Sequence, residues 1–263
     1  DSVTEEFEIF VGSAGGWTED GKELPFLKVL AGRKKELNSW RTFGVVTEVS
    51  PDTVPAGAQI YGTRFLYRMK GEDVKARIVV QQLKTRTKAN WIDVFAACPT
   101  SAANRILLWW SMYHGWTVAE GDVSTAFLHA PLDPGTCIFL RPPAEVNQGF
   151  LWCLHKAAYG LRQAPRLWQE WYATQLETLH FVRSPSDPQL YYRSADGALI
   201  TTRADDLRVT ADAWTLPRLK ADISKLMTIR WENELGPDWS KFLGCEWRRP
   251  DIHHYQLRPQ KCH

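Results

Sequence analysis

The 263-residue sequence has no uninterrupted apolar run approaching the roughly 20 residues that cross a bilayer, so a membrane-spanning helix is not expected. Its net charge is only +2 at pH 7, and the total charge therefore does not indicate a nucleic-acid-binding protein. The five cysteines are widely spaced and include no C-x-x-C pair or Cys/His cluster, which argues against a zinc site. We expect a reduced, intracellular protein.

The first residues differ in composition from the remainder of the chain. Residues 1–24 are rich in glycine and acidic residues, and they predict a linker or an N-terminal arm. The chain starts at Asp1 without an initiating Met and without the charged and then apolar pattern of a secretory leader. We therefore expect a fragment of a longer product.

Positive charge is concentrated between Arg64 and Lys88, where basic residues greatly outnumber acids. Such a stretch is suited to neutralising phosphates. It is equally typical of the solvated face of a β-hairpin, and charge alone favours that interpretation. The thirteen tryptophans raise a similar pair of alternatives, base stacking or core packing, and core packing is expected for most of them.

Apolar periodicity and turn residues predict an α+β fold, because helices and hairpins follow one another without a regular βαβ repeat. The predicted helices lie at 26–40, from the Thr100 cap to Gly115, from Pro165 to Leu179, and at 216–227. The predicted strands lie at 42–49, 60–69, 74–82, 116–122, 136–140, 150–154, 189–193, 198–203, 207–211, 242–247 and 252–257. The first three strands are expected to pair as a basic, three-stranded flap.

Three acidic residues lie at predicted strand ends. Asp205 and Asp206 separate two apolar strands, and an isolated Asp-Asp pair usually serves only as a turn. Asp122 ends another strand. If that strand neighbours the hairpin, three carboxylates converge, and like charges at short range are costly without a cation. Oxygen-rich carboxylate sites suit Mg²⁺, and two such ions about 3.5–4 Å apart support in-line phosphoryl transfer.

Several segments resemble one family in the same order and spacing. AAYGLRQAPRLW at 157–168 is similar to SLYGLKQAPRAW, and DVSTAFLHA at 122–130 is similar to DVKTAFLNG. Further matches are KARIVV at 75–80, CIFLRPP at 137–143, FVRSPSDPQLYY at 181–192, WSKFLGCEW at 239–247 and YQLRPQKC at 255–262. By this co-linear resemblance the sequence is identified as a member of the copia-type (Pseudoviridae) LTR-retrotransposon reverse transcriptases.

The resemblance implies the fingers and palm of a right-hand polymerase, with an antiparallel palm sheet and a truncated or partial thumb. Residues 25–115 would be mainly fingers, 116–247 mainly palm with a return to the fingers near 137–165, and 248–263 the start of the thumb or connection. The implied activity is RNA-directed DNA polymerisation from dNTPs on an RNA or DNA template–primer. The implied location is the cytoplasm, in a virus-like particle, or the nucleus.

The resemblance also implies roles for individual residues. Asp122, Asp205 and Asp206 would be catalytic, and together with the Val123 backbone they would hold two Mg²⁺ ions, with Mn²⁺ as an alternative. Phe127 would exclude a 2′-hydroxyl, although without the motif a core aromatic is the preferred interpretation. The implied nucleotide-binding residues are Lys75, Arg77, Ala126, Phe127, Tyr159, Gly160 and Gln163. The implied nucleic-acid-binding residues are Pro165 and Arg203.

Three departures from the family pattern bear on activity. Arg203 stands where the family has Tyr before the paired acids, Gln81-Gln82 replaces Lys-Gly, and no ribonuclease H segment is present. We expect the Arg203 guanidinium either to pair with Asp205 and Asp206 and compete with Mg²⁺, or to contact primer phosphate. The alternative function is therefore a catalytically degenerate relic that binds nucleic acid or acts as a structural or interaction module.

Overall fold

The computed structural model describes residues 16, 18, 21–84, 96, 100–146, 149–232, 234–242 and 244–259. They divide into two compact units. The first unit contains the described residues within 1–95 and 127–168, and the second contains those within 96–126 and 169–263. Within these ranges no helix combines the length and apolar character that crossing a bilayer requires.

The described helices and strands confirm the mixed α and β composition. The α-helices are α1 (Phe26–Thr42), α2 (Ser101–His114), α3 (Ala164–Thr178) and α4 (Thr215–Leu226). The strands are β1 (Val46–Val49), β2 (Ile60–Lys70), β3 (Asp73–Val80), β4 (Thr117–Val123), β5 (Ile138–Arg141), β6 (Leu151–Leu154), β7 (Val182–Arg183), β8 (Leu190–Tyr192), β9 (Leu199–Arg203), β10 (Asp206–Ala211), β11 (Ile229–Trp231), β12 (Ser240–Phe242), β13 (Cys245–Asp251) and β14 (His254–Pro259).

The first unit is built on a five-stranded sheet in the order β1-β6-β5-β2-β3, in which only β2 and β5 are parallel. The β2–β3 hairpin forms as predicted, with Gly71 at positive φ in its turn. The predicted three-stranded flap is wrong, because β1 pairs with β6 instead. Helix α1 packs on β3, and a Cβ at Gly32 would lie 2.6 Å from the Val74 carbonyl oxygen. Only glycine permits that approach.

The second unit is built on a six-stranded antiparallel sheet in the order β11-β4-β10-β9-β8-β7, followed by the three-stranded sheet β12-β13-β14. Helix α2 packs against β4, β9 and β10. Its predicted ends are confirmed: the Thr100 hydroxyl accepts from the Ala103 amide, and Gly115 closes the helix at a φ of 67°. The cap at Gly115 ends the helix two residues before β4 begins at Thr117.

The C-terminal strands differ from the prediction. A single strand was expected at 242–247, but β12 ends at Phe242 and β13 begins at Cys245. Gly244 has a φ of 70°, a conformation suited to a tight turn between antiparallel strands. The short strands β7 and β11 were also not predicted, because two or three residues are too few to show an alternating pattern.

Most of the predicted N-terminal arm, and the basic residues Arg86 and Lys88, lie outside the described residues.

Candidate metal centre

The register of the second sheet places four charged residues in one row across four adjacent strands. Asp206 at the start of β10 is paired with Asp122 on β4. On the far side of Asp206 lies Arg203 of β9, and on the far side of Asp122 lies Arg230 of β11. Directly paired residues point to the same face of a sheet, so two acids stand side by side with an arginine at each end.

The third acid lies in the turn that joins β9 and β10. Ala204 and Asp205 form this two-residue connection, and Ala204 has a φ of 52°. A side chain in that left-handed region costs about 1–2 kcal/mol, and such strain tends to occur at functional sites. The Asp205 carbonyl accepts a hydrogen bond of 2.8 Å from the Val123 amide, which holds the turn against the end of β4.

The three carboxylates are therefore brought together at one edge of the sheet. One oxygen from each of Asp122, Asp205 and Asp206 lies within 4.8 Å of the others. Asp122 is half-buried, and the two acids of the hairpin are exposed. Partial burial, followed by the charges of Asp205 and Asp122, raises the pKa of Asp206 from 3.8 to about 6.

A divalent cation fits the chemistry of this donor set. Burial and then the neighbouring carboxylates raise the Asp206 pKa, so negative charge at this position is unfavourable without a cation. The available ligand atoms are carboxylate oxygens, which are the donors that Mg²⁺ and Mn²⁺ prefer. The open edge leaves room for the waters and phosphate oxygens that Mg²⁺ retains as further ligands. The geometry thus supports the predicted metal ligands without identifying the ion.

Arg230 is a member of the cluster that the sequence did not indicate. Its Nη2 lies 3.4 Å from Oδ2 of Asp122 and 3.2 Å from Oε1 of Glu232. Arg203, which was expected to pair with the acids, has no ion pair within the described residues and only weakly lowers the Asp206 pKa. The guanidinium that contacts the cluster is therefore the one on β11, in a strand too short to be recognised by pattern.

A buried ion pair supports the two strands that carry Asp122 and Asp206. Arg208 is fully buried and donates from Nε to Oε1 of Glu120 at 2.6 Å. Its Nη1 donates to Oδ1 of Asn104 at 2.9 Å, and its guanidinium lies 4.2 Å from the centre of the Phe242 ring. Ser240 also hydrogen-bonds to Glu120. Glu120 lies two residues before Asp122 on β4, and Arg208 lies two residues after Asp206 on β10, so the pair supports the β4–β10 register next to the candidate site.

Several predicted nucleotide-binding residues lie together in the first unit. Nη1 of Arg77 lies 3.1 Å from Oε2 of Glu36, and its guanidinium is 5.0 Å from the centre of the Tyr159 ring. Phe127 meets Tyr159 edge to face at 5.0 Å. The structure therefore gathers Arg77, Phe127 and Tyr159 into one cluster, with a buried carboxylate holding the guanidinium.

The tertiary structure gives a reason for glycine at position 160 that the local sequence did not reveal. Its φ is 87°, and a Cβ would lie 2.1 Å from the Val80 carbonyl oxygen. The Val80 amide donates to the Tyr159 carbonyl at 2.7 Å. The backbone at Gly160 therefore passes close to the end of β3, and its predicted role in nucleotide binding stays a prediction.

The remaining predicted site residues occupy ordinary positions in their elements. Lys75 is exposed on β3, Val123 and Ala126 are buried, and Pro165 lies in the first turn of α3. Nε2 of Gln163 is buried and has no hydrogen-bond partner within the described residues.

Comparison with known proteins assigns this chain to a family. The sequence profile described as "Reverse transcriptase (RNA-dependent DNA polymerase)" matches residues 45–258. The chain belongs to the reverse transcriptase family. It is a copia-type reverse transcriptase domain, in agreement with the resemblance of its motifs.

The relatives of this reverse transcriptase domain are proteins of transposons. It is 29% identical over 207 residues to the Retrovirus-related Pol polyprotein from transposon RE2 of Arabidopsis thaliana, with 74% of this chain and 14% of the polyprotein covered. It is 25% identical over 198 residues to the Retrovirus-related Pol polyprotein from transposon TNT 1-94 of Nicotiana tabacum, with 70% of this chain and 14% of the polyprotein covered. A putative transposon Ty5-1 protein of Saccharomyces cerevisiae is 36% identical over 129 residues, with 47% of this chain and 40% of that protein covered. The domain thus matches about a seventh of each Pol polyprotein.

Proposed function

We propose that this reverse transcriptase domain is an RNA-directed DNA polymerase of a copia-type retrotransposon. The observation that carries the proposal is the convergence of Asp122, Asp205 and Asp206 at one sheet edge in a chain of this family. In the reaction, the primer 3′-oxygen forms a bond to the α-phosphorus of a dNTP and the bond to pyrophosphate breaks. The template–primer and dNTPs are the partners that the proposal requires.

The three carboxylates, with the Val123 backbone, are the groups that would hold two Mg²⁺ ions. The chemistry that such ions supply when bound is activation of the 3′-hydroxyl and stabilisation of negative charge on the leaving group. The protein contributes the fixed spacing of the acids. Cross-strand pairing sets Asp206 beside Asp122, and the hydrogen bond from Val123 to the Asp205 carbonyl holds the turn.

The cluster in the first unit is suited to a nucleotide, and we propose that Arg77 and Lys75 bind its triphosphate. An arginine held by Glu36 and Tyr159 is preorganised, so less side-chain entropy is lost when it donates to phosphate oxygens. Phe127, which leans against Tyr159, would be the ring that rejects a 2′-hydroxyl. Ala126, Gly160 and Gln163 would complete the nucleotide-binding set.

We further propose that the fingers, palm and thumb follow the predicted boundaries, with one adjustment. Helix α2 packs on the sheet that carries the acids, so the proposed border between fingers and palm lies before this helix rather than at 115/116. Arg203 and Pro165 stay as proposed nucleic-acid contacts. Location in the cytoplasm, within a virus-like particle, or in the nucleus is likewise a proposal.

Primer extension on an RNA template with Mg²⁺ or Mn²⁺ tests the proposed activity. We expect dNTP incorporation by the wild type and none above background by the Asp205→Asn, Asp206→Asn double variant. Asp238→Asn removes an exposed carboxylate elsewhere in the second unit and serves as the matched control, with activity unchanged. Equal incorporation by the double variant and the wild type would overturn the assignment.

The ion pair between Arg230 and Asp122 favours a second candidate, a degenerate polymerase that binds nucleic acid without catalysis. In that case the domain would bind a primer–template duplex with an affinity that falls steeply with salt, and no incorporation would be detected. Salt-independent or absent duplex binding would point instead to a structural or interaction module.

A further inference from the structure

Asp122 has an acidic residue on one side and a basic residue on the other. Asp122 lies on β4, where it is paired with Asp206 of β10 and with Arg230 of β11. The Arg230 guanidinium lies 3.4 Å from Oδ2 of Asp122, and 3.2 Å from Glu232, which holds it from the other side. The same carboxylate that is a candidate cation ligand is therefore already engaged by a cation of the protein.

The position of Arg230 is fixed by the packing of its strand. A Cβ on Gly121 would lie 2.7 Å from Cδ1 of Ile229 and 3.1 Å from Cε3 of Trp231, so these two side chains cover β4 where it lacks a side chain. Successive residues of a strand point to opposite faces. Arg230, between them, must then share the face of Asp122, and a shift of one residue is prevented by the fit at Gly121.

A guanidinium and a divalent ion at this carboxylate exclude each other. Both are positive and both are attracted to the Asp122 carboxylate, so binding of one weakens binding of the other. An arginine stays charged throughout the accessible pH range, and it can leave the carboxylate only by moving away. Its side chain is 56% exposed, so that movement is sterically open.

We propose that Arg230 is a resident counter-ion that competes with divalent cations for Asp122 and thereby sets their affinity. The inference rests on the proposed function, because it takes Asp122 as a cation ligand. Arg203 occupies the equivalent place beyond Asp206 but makes no ion pair within the described residues. The competition is therefore assigned to Arg230, and Arg203 supplies a matched comparison.

Titration of the purified, metal-free domain with Mn²⁺, followed by the loss of the free-ion electron paramagnetic resonance signal, measures this competition directly. We expect Arg230→Gln to lower the Kd for Mn²⁺ roughly three- to tenfold at physiological salt, because an exposed ion pair and its charge are both removed. Arg203→Gln removes the same charge without an ion pair, and we expect a change below roughly twofold. Arg230→Lys should be intermediate, since it keeps the charge and loses the planar fork.

The outcomes separate this inference from the proposed function. Equal effects of Arg230→Gln and Arg203→Gln, or weaker Mn²⁺ binding by Arg230→Gln, would overturn the counter-ion role. If Asp122→Asn at the same time weakens Mn²⁺ binding, the cation site itself stands. If Asp122→Asn binds Mn²⁺ as the wild type does, Asp122 is not a ligand, and both proposals fail. Thermal unfolding of each variant verifies that the fold is intact.

Discussion

The partial burial of Asp206, and its repulsion by Asp205 and Asp122, lead to a prediction about the stability of the domain without metal. The Asp206 carboxyl releases its proton near pH 3.8 in the unfolded chain and near pH 6 in the folded protein. Between these values the folded state holds the extra proton, so its stability falls as pH rises through this window and stays low above it. Asp206→Asn removes the charge while keeping the shape, and it should stabilise the metal-free domain at neutral pH.

The magnitude follows from the size of the pKa shift and the exposure of the group. A rise from 3.8 to about 6 is equivalent to about 3 kcal/mol. Because the side chain is exposed and solvent screens its interactions, we reduce the expected gain to about 1 kcal/mol. For a chain of this length that gain raises Tm by roughly 2–4 °C.

The assay is thermal unfolding in EDTA between pH 4 and pH 8, for the wild type, Asp206→Asn and the control Asp238→Asn. The advantage of Asp206→Asn should be absent near pH 4 and fully developed by pH 7, and the control should follow the wild type. Added Mg²⁺ should raise the Tm of the wild type more than that of Asp206→Asn, because a ligand of the folded state stabilises it. A variant that is no more stable than the wild type at pH 8 would refute the proposed cost of the Asp206 charge in the folded protein.

Two further predictions concern the support of the two units. Gly160→Ala should lower the free energy of unfolding by at least about 2 kcal/mol, measured with denaturant. The control is Gly135→Ala, where φ is also positive but the space around a Cβ is open, and it should cost only about 1 kcal/mol. Equal losses would contradict the close approach of Gly160 to Val80. Glu120→Gln should cost about 3 kcal/mol in the same assay, because it leaves the fully buried Arg208 without its counter-charge. Glu246→Gln removes the more exposed ion pair with Arg258 and should cost less than about 1 kcal/mol. A small effect at Glu120 would contradict its supporting role.

Local sequence signals located the long elements and missed the pairing of some of them. Helix α2 was predicted from its cap and its terminal glycine, and the β2–β3 hairpin from its turn, because those signals act over a few residues. The three-stranded flap was wrong because β1 pairs with β6, about a hundred residues further along the chain. Non-local pairing depends on packing and leaves no local signature.

The candidate site divides in the same way. Asp122, Asp205 and Asp206 were named from motifs, while their spacing required the β4–β10 register to be known. The adjacent Arg230 could not be named at all, since β11 has only three residues and no alternating pattern.

The sequence by itself determined the family and singled out the three acids as candidates, because the motifs that carry the resemblance are short, contiguous and in a fixed order along the chain. Only the tertiary structure decided that an arginine from β11 stands beside Asp122 and that Arg203 stays unpaired within the described chain. It also decided that Gly160 serves the approach to Val80. The physical reason is that charge–charge contacts and steric clearance depend on distances between strands, and a linear sequence contains those distances only after the strands have paired.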